Sequence, residues 1–260
     1  MDDIVVPTGW VADRLGSPEV RVVDVRDAWE YDGIGHLPGA VNVPFDAFRS
    51  EEGEAGMLPG AEAFATLMGD VGVSETDHLV AYDDTHGVFA ARLLVTAELY
   101  GHPRERLHLL DGDFSAWQRE HPTTTDAPET EPAEYRAAFD EGGPLVPTEA
   151  VREALLDPDT AIVDTREEWE YEEGHIPGAV RLDWLELVDR ESRGLRSDAE
   201  NHETLESLGI TPEKRVLLYC NTARRISHTY VVLRHLGYDD LAFYEGSLTE
   251  WEREGGELVT

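Results

Sequence analysis

Apolar residues along the chain fall into two alternating patterns. Short apolar runs bounded by charged or turn residues recur at Val20-Arg21-Val22-Val23-Asp24-Val25, His78-Leu79-Val80-Ala81-Tyr82, Leu107-His108-Leu109-Leu110, Ala161-Ile162-Val163 and Val216-Leu217-Leu218-Tyr219. Their length and bounding residues predict buried strands. Helix-forming segments separate them: a short helix opened by Pro7-Thr8-Gly9-Trp10-Val11, another at Ala28-Trp29-Glu30-Tyr31, residues 61–69, Val88 to Leu99 with a stop at Gly101, and a start between Gly112 and Trp117. A later helix places Ile226, Tyr230, Leu233 and Leu236 on one face, with Gly237 as its stop. Strands that alternate with helices predict an α/β fold with a parallel sheet covered on both faces.

The pattern occurs twice. Asp24-Val25-Arg26 returns as Asp164-Thr165-Arg166, and Ala28-Trp29-Glu30-Tyr31 as Glu168-Trp169-Glu170-Tyr171. Gly35-His36-Leu37-Pro38-Gly39-Ala40-Val41 returns as Gly174-His175-Ile176-Pro177-Gly178-Ala179-Val180, and the stretch from Asp111 to Trp117 as Glu245 to Trp251. A slowly drifting offset between the copies indicates a duplicated domain with small insertions in its loops. The stretch from Thr123 to Gly143 is rich in Thr, Pro, Glu, Asp and Gly, and its lack of apolar period predicts a surface linker. The expected division is residues 1–125, a linker over 126–143, and residues 144–260.

Composition narrows the classes. The length of 260 residues suits one large or two ordinary domains, with ample chain for a core. It holds no apolar run long enough to span a membrane, and Met1-Asp2-Asp3-Ile4 lacks the regions of a signal peptide, so the expected location is cytoplasmic. The 55 acidic and 21 basic residues give a formal charge of −34, and Lys214 is the only lysine. Such a surface repels nucleic acid and anionic membranes. It resembles the proteins of salt-loving archaea, where high salt screens the self-repulsion. One cysteine excludes an internal disulfide or a four-cysteine metal site, and the histidines show no metal-ligand spacing. The histidines are therefore expected to be structural or surface residues.

That cysteine, Cys220, follows the last strand-like run and precedes Asn221, Thr222, Ala223, Arg224 and Arg225. A lone cysteine is more often a small buried hydrophobe, but a core cysteine would lie within the apolar run, not after it. The expected setting is the mouth of a strand–loop–helix turn. There, backbone N–H groups and the positive end of a helix dipole favour a thiolate nucleophile. The arginines would meet an anionic substrate.

These residues together identify a family. Asp-x-Arg after a strand, Gly-His-x-Pro-Gly-Ala in two copies, a strand ending in Cys220 and a closing Gly-x-x-x-x-Trp resemble the rhodanese (thiosulfate sulfurtransferase) family over nearly the whole chain. The layout is similar to tandem-domain rhodaneses: two rhodanese-like domains, each a parallel sheet flanked by helices, with only the second catalytic. The first-half counterpart of Cys220 is Asp83 or Asp84. The resemblance implies a persulfide on Cys220, formed from a small anionic sulfur donor and discharged to cyanide, a thiol or a protein acceptor, with no metal or organic cofactor. Asn221, Thr222, Ala223, Arg224 and Arg225 would bind the donor, and Asp164 and Arg166 would support the loop as a charged pair. His36 and His175 recur in both halves and are expected to fix turns, and Trp117 and Trp251 to sit in cores. The loop is most similar to the bacterial Cys-Arg-x-Gly-Glu-Arg-Ser-Ser-His-Thr pattern at Arg225, Ser227, His228 and Thr229, and departs from it at Asn221, Ala223 and Arg224. Thiosulfate is the expected donor. The alternatives are 3-mercaptopyruvate as donor, a persulfide carrier or redox module, and a cysteine phosphatase or arsenate reductase. Related phosphatases need an arginine six residues after the cysteine, where this chain has Ile226.

Overall fold

The structure, a computed structural model, describes residues 3–49, 58–221 and 223–260. It divides into two compact units, Met1–Asp140 with Asp189–Leu195, and Glu141–Val188 with Arg196–Thr260.

The first unit runs β1 (Val5–Pro7), α1 (Thr8–Ala12), β2 (Val20–Asp24), α2 (Ala28–Gly33), β3 (Val41–Asn42), α3 (Ala61–Asp70), β4 (His78–Tyr82), α4 (Val88–Leu99), β5 (Leu107–Asp111) and α5 (Phe114–Glu120). Its strands form one parallel sheet in the order β1-β5-β4-β2-β3. The second unit runs α6 (Thr148–Ala154), β6 (Thr160–Asp164), α7 (Glu168–Glu173), β7 (Val180–Arg181), α8 (Asp198–Ser207), β8 (Arg215–Tyr219), α9 (Arg224–His235), β9 (Leu241–Tyr244) and α10 (Ser247–Arg253). Its sheet is also parallel, ordered β7-β6-β8-β9. The edge strand β1 is an element the sequence pattern did not predict.

The repeat carries into the cores. Val11, Val22, Leu37, Ala40, Tyr82 and Trp117 cluster in the first unit. Their counterparts Val151, Ile162, Ile176, Ala179, Tyr219 and Trp251 cluster in the second. Trp117 and Trp251 are buried, and each indole N–H donates to a backbone carbonyl, of Pro122 at 3.0 Å and of Glu257 at 2.9 Å. Gly101 and Gly237 stop α4 and α9 at φ +89° and +84°. The next amide turns back onto the helix, His102 N to Ala97 O at 2.9 Å and Tyr238 N to Leu233 O at 3.0 Å.

Part of the Thr123–Gly143 stretch is more than a tether. Ala133 N donates to Gly69 O, Ala138 N to Tyr100 O and Asp140 N to Leu99 O, at 2.8–3.0 Å, and Tyr135 is buried. The segment satisfies carbonyls near the ends of α3 and α4 that have no partner within the helix. A side chain at Gly69 would meet Ala133 O at 2.6 Å, so only glycine allows this approach.

Asp189–Leu195, which lies within the sequence of the second half, packs with the first unit. Arg193 Nε lies 2.8 Å from both carboxylate oxygens of the buried Asp113, and its Nη2 donates to Asp84 O at 2.9 Å. Leu195 N donates to Asp111 Oδ1 at 2.8 Å.

Candidate active site

β8 is flanked on both sides by β6 and β9, so its end emerges at the covered C-terminal edge of the sheet, where ligands of parallel α/β sheets bind. Cys220 is the next residue after β8, and α9, of 12 residues, begins at Arg224. The turn closes through Ala223, which takes the left-handed φ of +58° just before the helix. For a residue with a Cβ this costs on the order of 1 kcal/mol. Thr222, a predicted contact, lies outside the described residues.

Cys220 stands at the mouth of the strand–loop–helix turn, between β8 and α9. Cys220 is only 1% exposed, and Asn221 is the exposed residue beside it. A residue that directly continues a central strand stays beneath the loops above it. The neighbouring backbone is fixed: Tyr219 O accepts from Thr165 N at 3.0 Å and from Thr165 Oγ1 at 3.2 Å.

Asn221, Ala223, Arg224 and Arg225 all lie on the turn or the first turn of α9. Arg225, however, is already engaged by carboxylates. Its Nη1 donates to Glu170 Oε2, and Nη2 lies 4.0 Å from Glu167 Oε1. The second oxygen of Glu170 accepts from Asn221 Nδ2 at 3.2 Å. Glu170 is buried and thus ties the cysteine loop to α7 on both sides of Ala223. Arg224 is half-buried at the first position of α9. Ile226 is buried in the core-facing side of that helix, so no arginine stands at the sixth position after Cys220. Ser227 Oγ donates to Ala223 O at 2.8 Å and is committed to the helix.

Asp164 and Arg166 pair with each other, Nη2 to Oδ2 at 2.7 Å, and Arg166 also donates to Gly174 O at 2.7 Å. Tyr219, one residue before the cysteine, bonds Asp164 through its hydroxyl, which also accepts from Ile176 N at 3.1 Å. Burial first, and then the charge of Asp164, push the Tyr219 phenol well above its ordinary range. The first half repeats this frame without a thiol: Arg26 pairs with Asp24, and Tyr82 donates to Asp24 Oδ2 at 2.6 Å. His36 and His175 stack on Tyr31 and Tyr171 at 3.7 and 3.6 Å, and each Nδ1 meets that tyrosine's carbonyl.

Strand register resolves which aspartate replaces the cysteine. Asp24 pairs with Tyr82 as Asp164 pairs with Tyr219, so Asp83 matches Cys220. The first loop is one residue longer, since α4 starts at the sixth residue after Tyr82 and α9 at the fifth after Tyr219. Asp83 is buried, and its carboxylate accepts from the backbone N–H groups of Thr85, Gly87, Phe89 and Ala90 at 2.7–3.1 Å. This loop shape converges amides on an anion.

Glu170 and Glu167 are site residues that sequence reasoning missed. Their spacing is that of a capping box, which the structure contains. That signal marks the start of a helix and gives no hint of Arg225, far along the chain. Trp169 lies between them in sequence and is 61% exposed, with Nε1 donating to Glu167 Oε2 at 2.8 Å. Trp29 repeats this on α2, 65% exposed and bonded to Asp27 at 3.2 Å.

The comparisons agree with this geometry. The model of the rhodanese-like domain matches residues 8–120 and again 148–254. A thiosulfate sulfurtransferase of Pseudomonas aeruginosa is 34% identical over 95% of this chain and 93% of its own length. The sulfur carrier protein TtuD of Thermus thermophilus is 31% identical over 99% and 95%. The crystal structure of SseA from Escherichia coli, a 3-mercaptopyruvate sulfotransferase, superposes with a TM-score of 0.85 at 26% identity, covering 95% of this chain and 99% of that one. With two such domains in tandem and the thiol at the end of β8, the chain belongs to the rhodanese family and is a sulfurtransferase.

Proposed function

We propose that the chain moves sulfane sulfur from thiosulfate to a thiophilic acceptor through a persulfide on Cys220. The Cys220 thiolate attacks the outer sulfur of thiosulfate. A new S–S bond forms to Cys220 as the bond to the sulfonate sulfur breaks, and sulfite leaves with the electron pair. The acceptor, cyanide or a thiol, then takes the outer sulfur and returns the thiolate.

The observation that carries this reading is the Asp83 cradle. The first-half loop binds a carboxylate with four backbone amides, and the second-half loop places a thiol at the matching position. Amides around Asn221 to Arg225 would hold the thiolate and then the persulfide anion in the same manner. Arg224 meets the donor's sulfonate, whereas Arg225 and Glu170 set the shape of the loop. Asp164 and Arg166 act through Tyr219. The likeness to thiosulfate sulfurtransferases supports thiosulfate as the donor, and the likeness to the Escherichia coli structure supports 3-mercaptopyruvate, the second reading. The acidic surface fits a cytoplasm rich in salt.

The test is thiocyanate formation from cyanide in high-salt buffer, with thiosulfate or 3-mercaptopyruvate as donor. Thiosulfate-dependent turnover lost in Cys220→Ser is the expected result. Turnover with 3-mercaptopyruvate alone would replace the donor. A stable persulfide without turnover would make the protein a sulfur carrier.

A further inference from the structure

α7 carries an exposed tryptophan that recurs as Trp29 on α2, but only α7 also holds the cysteine loop. Trp169 is a large aromatic that the core does not use, as its 61% exposure shows. Its ring is nonetheless held, because Nε1 is bonded to Glu167. Glu167, Glu168, Glu172 and Glu173 are exposed around it, and no Lys or Arg occurs between Glu167 and Val180. The same helix grips the cysteine loop through Glu170. An indole fixed in place among carboxylates, next to the loop, suits a partner with positive charge. Carboxylates attract it, and tryptophan is the best aromatic face for an ammonium or guanidinium group. The anionic donor is repelled from this face, and so is a second copy of a chain with charge −34.

We infer that Trp169 and the exposed glutamates of α7 form the docking face for a basic peptide or protein acceptor whose thiol takes sulfur from Cys220, an inference that rests on the sulfurtransferase reading above. The outer sulfur of the persulfide lies about 2 Å from Sγ. The acceptor thiolate attacks that sulfur. An S–S bond forms to the acceptor, the bond to Cys220 breaks, and the electron pair returns to Cys220 as thiolate. The acceptor leaves as a persulfide, with no net oxidation.

The experiment loads the full-length protein with thiosulfate, verifies the gain of one sulfur atom by mass spectrometry, and follows discharge in a single turnover. Acceptors are cyanide, the peptide Lys-Lys-Cys-Lys-Lys and the peptide Glu-Glu-Cys-Glu-Glu, at the lowest salt at which circular dichroism shows each variant folded. The basic peptide should discharge the persulfide about tenfold faster than the acidic one, with a gap that narrows as salt rises. Trp169→Ala should lower the ratio of basic-peptide to cyanide rate about tenfold, and Trp169→Phe should recover part of it. Trp29→Ala, beside no thiol, should keep the ratio within about twofold. Equal rates for the two peptides, or an unchanged ratio in Trp169→Ala, would overturn the docking face while the persulfide stands. Failure to load sulfur at all would overturn the underlying reading and the docking face with it.

Discussion

The carboxylate of Asp83 stands at the strand-end position of the first half that the thiol of Cys220 holds in the second. One loop design thus holds a built-in anion in one half and offers a nucleophile in the other. Asp83→Ala leaves four inward-facing amides without an acceptor. It should destabilise the protein by about 3 kcal/mol, since each buried orphan donor costs about 1–3 kcal/mol and the loop relaxes to hydrate some of them. Sulfate or thiosulfate should then raise the melting temperature of the variant more than that of the parent. Thermal scans with and without the anion check this, and equal shifts would sink the cradle argument.

Glu170 makes a second prediction. It binds Arg225 and Asn221 on either side of the loop bend. Glu170→Ala should lower kcat for thiosulfate-to-cyanide transfer by at least about tenfold, because small displacements of a reacting group carry large rate penalties. Glu170→Gln, which keeps a hydrogen bond but loses the charge, should fall between. Steady-state kinetics on both variants decide it. An effect confined to KM would instead assign Glu170 to substrate binding.

The pH dependence of stability should carry the mark of His102. Burial lowers its pKa to about 4, although its ring bonds Tyr135 Oη at 3.1 Å and Asp77 O at 3.0 Å. The unfolded histidine titrates near about 6.5. Between these values the unfolded chain binds a proton that the folded one excludes, so stability is full above about pH 6.5 and declines as pH falls to about 4. The contribution is about 3 kcal/mol across that window. Urea unfolding of His102→Gln, at fixed salt, should show a correspondingly flatter profile than the parent.

The two loops should respond in opposite ways to their left-handed residue. Gly87 sits at φ +83°, and a side chain there would meet Leu109 Cδ1 at 3.1 Å. Gly87→Ala should cost about 1–2 kcal/mol. Ala223→Gly, at φ +58°, should be neutral or stabilising by up to about 1 kcal/mol. Chemical denaturation of the pair measures both.

Much of this architecture is visible in local pattern. Val216–Tyr219 announced a buried strand, the polar residues after it announced a turn, and the doubled Gly-His-x-Pro-Gly-Ala announced two domains. What local pattern conveyed poorly was depth and distance. The burial of Cys220 follows from β8 being a central strand, which the residues around the cysteine do not encode. The hold of Glu170 on Arg225 spans two helices, and nothing near either residue encodes it. The choice between Asp83 and Asp84 needed strand register, since a one-residue insertion shifts an alignment freely but cannot shift a hydrogen-bonded ladder. The hydrogen bonds of Ala133 to Asp140 were hidden because a segment that caps helix ends has no period of its own.

The segment Asp189–Leu195 has a consequence for heredity. Two domains born of duplication are ordinarily free to be parted, shuffled or lost one at a time. Here the buried Asp113 and its neighbours Asp84 and Asp111 receive their partners from Arg193 and Leu195, which are encoded in the second half. A gene cut at the linker would leave the first half with a buried carboxylate stripped of its cation. Its own loop carries an aspartate where the second half has the thiol, and its buried acid draws its cation from sequence of the second half, so the stability of one copy is written into the other.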